Sequence, residues 1–118
     1  MNANGFNNGV LIVDDEIEIC FLLTAIMRRK NIRAYSVHTI ADAKKEVEIK
    51  EPKFLFLDIN LPDGSGLDLL SQFHKQYPGM KIIIISAFDT FKEKAFEKGA
   101  FSFLSKPFSK NAVLDILS

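Results

Sequence analysis

Residues 54–58 have the sequence FLFLD, four apolar residues followed by an aspartate. A short apolar run of this kind predicts a strand that is buried on both faces. Similar runs precede other polar residues: VLIV before Asp14 and Asp15, IIII before Ser86, and FSFL shortly before Lys106 and Pro107. Because open α/β folds place their sites at the carboxyl ends of parallel strands, we expect these side chains to meet. Three carboxylates, a hydroxyl and an ammonium group suit a divalent cation and a phosphoryl group.

The composition indicates one ordinary globular domain. The chain has 118 residues, of which 47% are hydrophobic, enough for a continuous core. Fifteen basic residues balance fifteen acidic ones, which argues against nucleic-acid binding by this chain alone and against attraction to anionic lipid. The single cysteine, Cys20, has no internal disulfide partner, and residues 1–9 lack the pattern of a signal peptide. No apolar run approaches the length of a membrane span, so we expect a cytoplasmic protein.

Strand and helix patterns alternate along the chain. Strands are predicted at Val10 to Val13, Arg33 to Val37, Phe54 to Leu57, Lys81 to Ile85 and Phe101 to Leu104. Helices are predicted at about Glu16 to Lys30, Ile40 to Ile49, Leu67 to Tyr77, Thr90 to Lys98 and Ser109 to Ser118. No antiparallel hairpin signal is found, so the pattern predicts a doubly wound three-layer sandwich with a parallel sheet. Residues 1–8 are predicted to be a flexible arm, and residues 9–118 the domain.

Taken together, these motifs resemble the response-regulator receiver domain of two-component signalling. The resemblance covers nearly the whole chain, in the order VDDE at 13–16, DINLP at 58–62, Gly66, Ser86-Ala87 and GAFSFLSKP at 99–107. It implies a flavodoxin-like sheet with the strand order 2-1-3-4-5. That order brings Asp15 next to Asp58, with Ser86 and Lys106 on the same rim.

The chemistry of the proposed site follows from the residue types. An aspartate can accept a phosphoryl group as a carboxylate nucleophile, and Asp58 is the candidate. The transfer needs charge neutralisation, which Mg²⁺ and Lys106 would supply. Asp14, Asp15 and Asp58 suit Mg²⁺, and the resemblance adds the backbone carbonyl of Asn60. The three carboxylates should repel one another when no metal is bound.

The resemblance also implies a switch. Ser86 would bond a phosphoryl oxygen, small Ala87 would leave room, and Phe103 would turn inward. Pro107 would follow a cis peptide bond that directs Lys106 into the crevice. The expected partners are a sensor histidine kinase or a histidine phosphotransferase, and a downstream protein or a second copy at the face formed by helix 4, strand 5 and helix 5.

Three other functions fit the motifs less well. A phosphatase that forms an aspartyl phosphate would need an acidic residue two positions after Asp58, where this chain has Asn60. A flavin-binding protein would have a phosphate loop after its first strand, where this chain has an acidic run. An interaction module of the same fold that is never phosphorylated would not need the acidic site. The sequence therefore favours a signalling domain over an enzyme that turns over a metabolite.

Other residues are expected to have structural roles or to affect the rate of self-dephosphorylation. Cys20 is predicted to pack in the core, and His38 and His74 are expected to lie outside the site. Asn60 and Phe88 offer no general base or positioned water, so we expect self-dephosphorylation to take minutes or longer. The output is left open between a single-domain receiver that acts through protein contacts, as in a phosphorelay, and a receiver excised from a longer protein, and the short final helix favours the second.

Overall fold

A parallel sheet forms the centre of the molecule in a computed structural model, which describes residues 9–118. The predicted arm at residues 1–8 lies outside the described residues. The strands of this sheet are β1 Val10–Val13, β2 Ala34–Val37, β3 Phe54–Asp58, β4 Lys81–Ser86 and β5 Ser102–Ser105. The helices are α1 Ile17–Arg29, α2 Ile40–Lys50, α3 Gly66–Gln76, α4 Lys92–Glu97 and α5 Lys110–Leu117.

The strand order is β2-β1-β3-β4-β5, and all four pairings are parallel. This confirms the predicted fold and order. In the register, Val13 pairs with Leu57, Leu57 with Ile84, and Ile84 with Phe103. The residues that follow these positions therefore reach the same edge of the sheet.

Apolar side chains cover both faces of the sheet because successive residues of a strand point to opposite sides. Leu55 and Leu57 join the core beneath α2, α3 and α4, whereas Phe54 and Phe56 join the core beneath α1 and α5. β1, β3 and residues 82–86 of β4 are almost completely buried. Burial on both faces explains why these strands are continuous apolar runs.

Two local predictions were wrong. The sequence shows no antiparallel hairpin signal, but after β3 Asn60–Leu61 pairs antiparallel with Gly64–Ser65 in a very short hairpin. Gly64, with φ at 153°, takes a conformation that L side chains rarely adopt. The fourth helix is also shorter than expected, because Asp89–Phe91 forms a 3₁₀ turn before α4 and no side chain caps that turn.

Side-chain caps fix the starts of three helices. Thr39, Ser65 and Ser109 each accept a hydrogen bond from a backbone N–H in the first turn of α2, α3 and α5, respectively. Asp63 in the hairpin accepts from the N–H groups of Ile40 and Ala41, at 2.8 and 3.1 Å. These backbone donors lower the pKa of Asp63 and join the hairpin after β3 to the start of α2.

Gly66→Ala should lower the free energy of unfolding by about 2–4 kcal/mol. The added Cβ would collide with the backbone carbonyl of Asp58, which is not a flexible group that can move aside. Equilibrium unfolding in urea would measure the loss. Gly79→Ala is the matched control, because a Cβ at that position meets nothing within 4 Å. Equal stability of the two variants would contradict the close approach of α3 to the end of β3.

No helix among residues 9–118 combines the length and apolar character that crossing a membrane requires.

Candidate functional site

A cleft lies over the carboxyl ends of the strands. Its walls come from the β1–α1 connection, the end of β3, the β4–α4 connection and the segment after β5. The lining residues are Asp15, Glu16, Ile19, Asp58, Asn60, Ser86, Ala87, Phe88, Lys106 and Pro107. The structure thus brings most of the residues singled out in the sequence to one place.

Three carboxylates cluster at this edge of the sheet. Asp14, Glu16 and Asp58 each offer an oxygen, and these oxygens lie within 4.8 Å of one another. Asp14 is fully buried and Asp58 is 6% exposed, whereas Glu16 is exposed. Loss of hydration raises the pKa of Asp58 to about 6, and the nearby charge of Asp14 adds to this rise. Burial likewise raises the pKa of Asp14.

One ammonium group forms ion pairs with all three carboxylates. Lys106 Nζ lies 2.5 Å from Glu16 Oε1, 3.1 Å from Asp14 Oδ2 and 3.6 Å from Asp58 Oδ1. Burial would lower the pKa of Lys106, but these partners outweigh it and hold the pKa above its usual value. The single positive charge of Lys106 cannot neutralise three carboxylates. Burial therefore remains the main influence on the pKa values of Asp14 and Asp58, and both pKa values are raised. The peptide bond between Lys106 and Pro107 is cis, as the resemblance implied.

Two side chains contact the backbone carbonyl oxygen of Asp14. His38 Nδ1 lies 2.9 Å from the carbonyl oxygen of Asp14, and Cys20 Sγ donates to the same oxygen at 3.3 Å. The Asp14 carboxylate is fixed as well, because the N–H of Glu16 donates to its Oδ1 at 2.8 Å. Burial raises the pKa of Cys20 to about 11, which fits a packed thiol rather than a reactive one.

The residues proposed for the switch lie around the β4–α4 connection. Ser86 Oγ is occupied locally, accepting from the N–H of Phe88 at 3.0 Å and donating to the Phe88 carbonyl at 3.2 Å. Phe103 is half-buried against the core beneath α4, and Ala87 and Pro107 are exposed in the cleft. Ser105 Oγ donates to Asp89 Oδ1 at 2.6 Å, so β5 is bonded to the same connection.

The donor set suits a hard divalent cation. Carboxylate oxygens dominate the cleft, and Mg²⁺ prefers such ligands in octahedral geometry with several waters retained. Asp14 Oδ2 is buried and accepts no hydrogen bond from the described residues; Lys106 is its ion-pair partner. Asp15 and Asn60 are exposed and line the cleft, but Asp15 is not part of the tight cluster, where Glu16 stands instead.

Two residues of the site were missed from the sequence. Glu16 was read only as part of the acidic motif, although the N-terminus of α1 begins directly over the cleft. His38 was expected to lie outside the site, and it does not line the cleft, but its Nδ1 contacts the backbone carbonyl of Asp14 from behind. The pairing of Val13 with Val37 provides the missing signal, because it makes Asp14 and His38 neighbours at the sheet edge.

Comparisons with known proteins agree on one family. The family model described as the response regulator receiver domain matches residues 10–118. The response regulator protein PilR of Pseudomonas aeruginosa is 38% identical over 100 residues, which cover 82% of this chain and 22% of PilR. The KDP operon transcriptional regulatory protein KdpE of Escherichia coli is 32% identical, covering 84% of this chain and 44% of KdpE. The chain thus spans less than half the length of either relative.

A solved structure shows the same fold. The receiver domain of NtrX from Brucella abortus superimposes with a TM-score of 0.86 at 28% sequence identity. The match covers 92% of this chain and 93% of that domain. The likeness therefore extends over nearly the full length of both chains.

Proposed function

We infer that this chain, which belongs to the family of response regulator receiver domains, is a phosphoryl-accepting switch with Asp58 as the acceptor. One observation carries the proposal: a nearly buried carboxylate ends the central strand β3, 3.6 Å from a lysine ammonium. The donor would be a phosphohistidine of a histidine kinase or a histidine phosphotransferase. The acidic cluster argues against a constitutive interaction module, because binding alone does not require buried carboxylates that repel one another.

In the proposed transfer, an Asp58 carboxylate oxygen attacks the phosphorus of the phosphohistidine. The new O–P bond forms as the N–P bond breaks, and the donor imidazole leaves with the bonding electron pair and takes a proton from solvent. Lys106 would stabilise the charge on the transferred phosphoryl oxygens. The raised pKa of Asp58 would be offset in the working site by added positive charge.

Mg²⁺ is the cofactor that this site would use. When bound, it would supply positive charge to the phosphoryl oxygens. Asp15 and Asp58 would hold it, together with Asp14 and the backbone carbonyl of Asn60. The supporting observation is the set of oxygen donors in the cleft, including the buried Asp14 Oδ2.

Phosphorylation would change the conformation of one surface of the domain. A phosphoryl group on Asp58 offers new acceptors to Ser86 Oγ, which would have to leave its bonds with Phe88. Ala87, Phe103 and Pro107 would adjust with it, altering the face formed by α4, β5 and α5. A downstream protein or a second copy of the chain would recognise this altered face.

The phosphoryl group should persist rather than turn over. Asn60 has no acid or base function, and Phe88, 57% exposed beside the cleft, cannot position water for attack. We propose a lifetime on the order of minutes or longer, because hydrolysis lacks acid/base help. Loss of the phosphoryl group within seconds would refute this part of the proposal.

Acetyl phosphate with Mg²⁺ tests the acceptor. The intact protein should gain the mass of one phosphoryl group, and Asp58→Ala should gain none. Asp115→Ala, in which an exposed aspartate of α5 is removed, is the matched control and should behave as the wild type. Equal labelling of the wild type and Asp58→Ala would reject Asp58, and no labelling of either would favour the interaction module.

A further inference from the structure

The ammonium group of Lys106 is engaged more closely by Glu16 than by the proposed acceptor. Its Nζ lies 2.5 Å from Glu16 Oε1 but 3.6 Å from Asp58 Oδ1. The Lys106 side chain is only 12% exposed. In this arrangement, therefore, one of its three N–H donors is committed to a residue that has no assigned part in the transfer.

The two carboxylates closest to Lys106 differ in how easily they can break the ion pair. The Asp14 side chain is fully buried, and its carboxylate accepts a hydrogen bond from the N–H of Glu16. It therefore cannot rotate away from Lys106 without losing this bond and leaving a cavity. The Glu16 side chain is 55% exposed and extends from the residue just before α1, at the mouth of the cleft. Glu16 can thus exchange Lys106 for water, whereas Asp14 cannot.

We propose that Glu16 is a positioning residue that holds Lys106 in the empty site and competes with the incoming phosphoryl group for it. The inference rests on the proposed function of Asp58. Both Glu16 and a phosphoryl group on Asp58 are anionic, and they require the same ammonium. Filling the site then includes breaking the Glu16–Lys106 ion pair, so Glu16 sets how readily the site is filled.

Beryllofluoride, which mimics a phosphoryl group on an aspartate, tests the competition. Its affinity is measured by NMR titration at saturating Mg²⁺ for the wild type, Glu16→Gln and Glu18→Gln. Glu16→Gln should bind about three- to fivefold more tightly, the range expected for a partly exposed ion pair. Glu18→Gln is the matched control, because Glu18 lies exposed in the same helical turn and should leave the affinity unchanged.

A second readout concerns the empty protein. Without metal, Glu16→Gln, Lys106→Met and the double variant form a thermodynamic cycle for unfolding. The two substitutions should couple by about a two- to fivefold factor in the unfolding equilibrium constant. If Lys106→Met does not fold, the same cycle is made in the Asp58→Asn background.

Three results would overturn the proposal: unchanged or weaker beryllofluoride binding by Glu16→Gln, no coupling in the cycle, or a loss of Mg²⁺ affinity that equals or exceeds the gain for beryllofluoride. The last would make Glu16 a metal ligand instead. Failure of the proposed function is distinguishable, since it appears as equal responses of the wild type and Asp58→Ala to beryllofluoride. The cycle still reports on the ion pair in that case.

Discussion

In the metal-free protein, Asp58→Asn should raise the free energy of unfolding at pH 7 by about 2–3 kcal/mol. The Asp58 carboxylate is nearly buried beside Asp14, and its pKa rises from 3.8 to about 6 because the charged form loses hydration and is repelled. A rise of this size corresponds to about 3 kcal/mol, since each pKa unit is worth about 1.4 kcal/mol. Asparagine keeps the shape of the side chain and removes the charge. Urea unfolding with a chelator present measures the gain.

The gain should depend on pH in a defined direction. A carboxyl group whose pKa is raised by folding binds more protons in the folded state than in the unfolded state between pH 3.8 and about 6. The wild type therefore loses stability as the pH rises through that window, and Asp58→Asn lacks the part of this loss that comes from Asp58, while the part from Asp14, whose pKa is also raised, remains. The advantage of the variant should be full above pH 6 and almost absent below pH 4.

Asp115→Asn is the control for this experiment, because Asp115 is exposed on α5 and its substitution should change little at either pH. An Asp58→Asn variant that is less stable than the wild type at pH 7 would show that Lys106 compensates Asp58 fully. A gain that stays constant between pH 4 and pH 7 would show that it does not come from the charge.

The sequence was sufficient to predict which groups meet at the sheet edge. The apolar runs before Asp58 and Ser86 identified buried strands, and parallel strands must end on one side when helices connect them. Hydrophobic period therefore predicted the three-layer fold and the edge of the sheet that holds the site, whereas the strand order was implied by the resemblance to receiver domains. This inference needs no knowledge of side-chain conformations, because it depends only on where the strands end.

The partners of Lys106 could not be predicted in the same way. Glu16, Asp14 and Asp15 are adjacent in sequence, and which carboxylates face the ammonium depends on how the chain turns from β1 into α1. Asp14 continues the line of the strand and is buried, whereas Asp15 points into the open cleft and Glu16 turns back over Lys106. Differences of a few ångströms decide these roles, and strand and helix patterns do not resolve them.

The shortened α4 shows a second limit. The charged and aromatic residues after β4 fit a helix by period, but Ser86 and Asp89 bond instead to Phe88 and to Ser105 on β5. Such local bonds compete with the first helical turn. They also involve the proposed switch residue, so the local departure from sequence pattern lies at the point where movement is expected.

Lys106→Met should have a large effect on both stability and phosphorylation. Methionine preserves much of the apolar stem but leaves Asp14, Asp58 and Glu16 without their common positive charge. Loss of one partner from a largely buried ion pair should lower the free energy of unfolding at pH 7 by about 2–4 kcal/mol. Labelling by acetyl phosphate should slow by about 100-fold, as expected when a positioned charge at the transferring group is removed.

The charge of Asp58 explains how the two large effects are connected. If Lys106 stabilises the protein mainly by offsetting the buried carboxylates, then Lys106→Met should be less harmful in the Asp58→Asn background, where one carboxylate is already neutral. It should also be less harmful below pH 4, where Asp58, whose pKa is raised to about 6, is protonated and no longer needs the ammonium. Lys45→Met, at an exposed position in α2, controls for the loss of a lysine and should have little effect. Equal losses with and without the Asp58 charge would mean that Lys106 does not stabilise the protein by offsetting Asp58, and its role in neutralising the acceptor would then have to be abandoned.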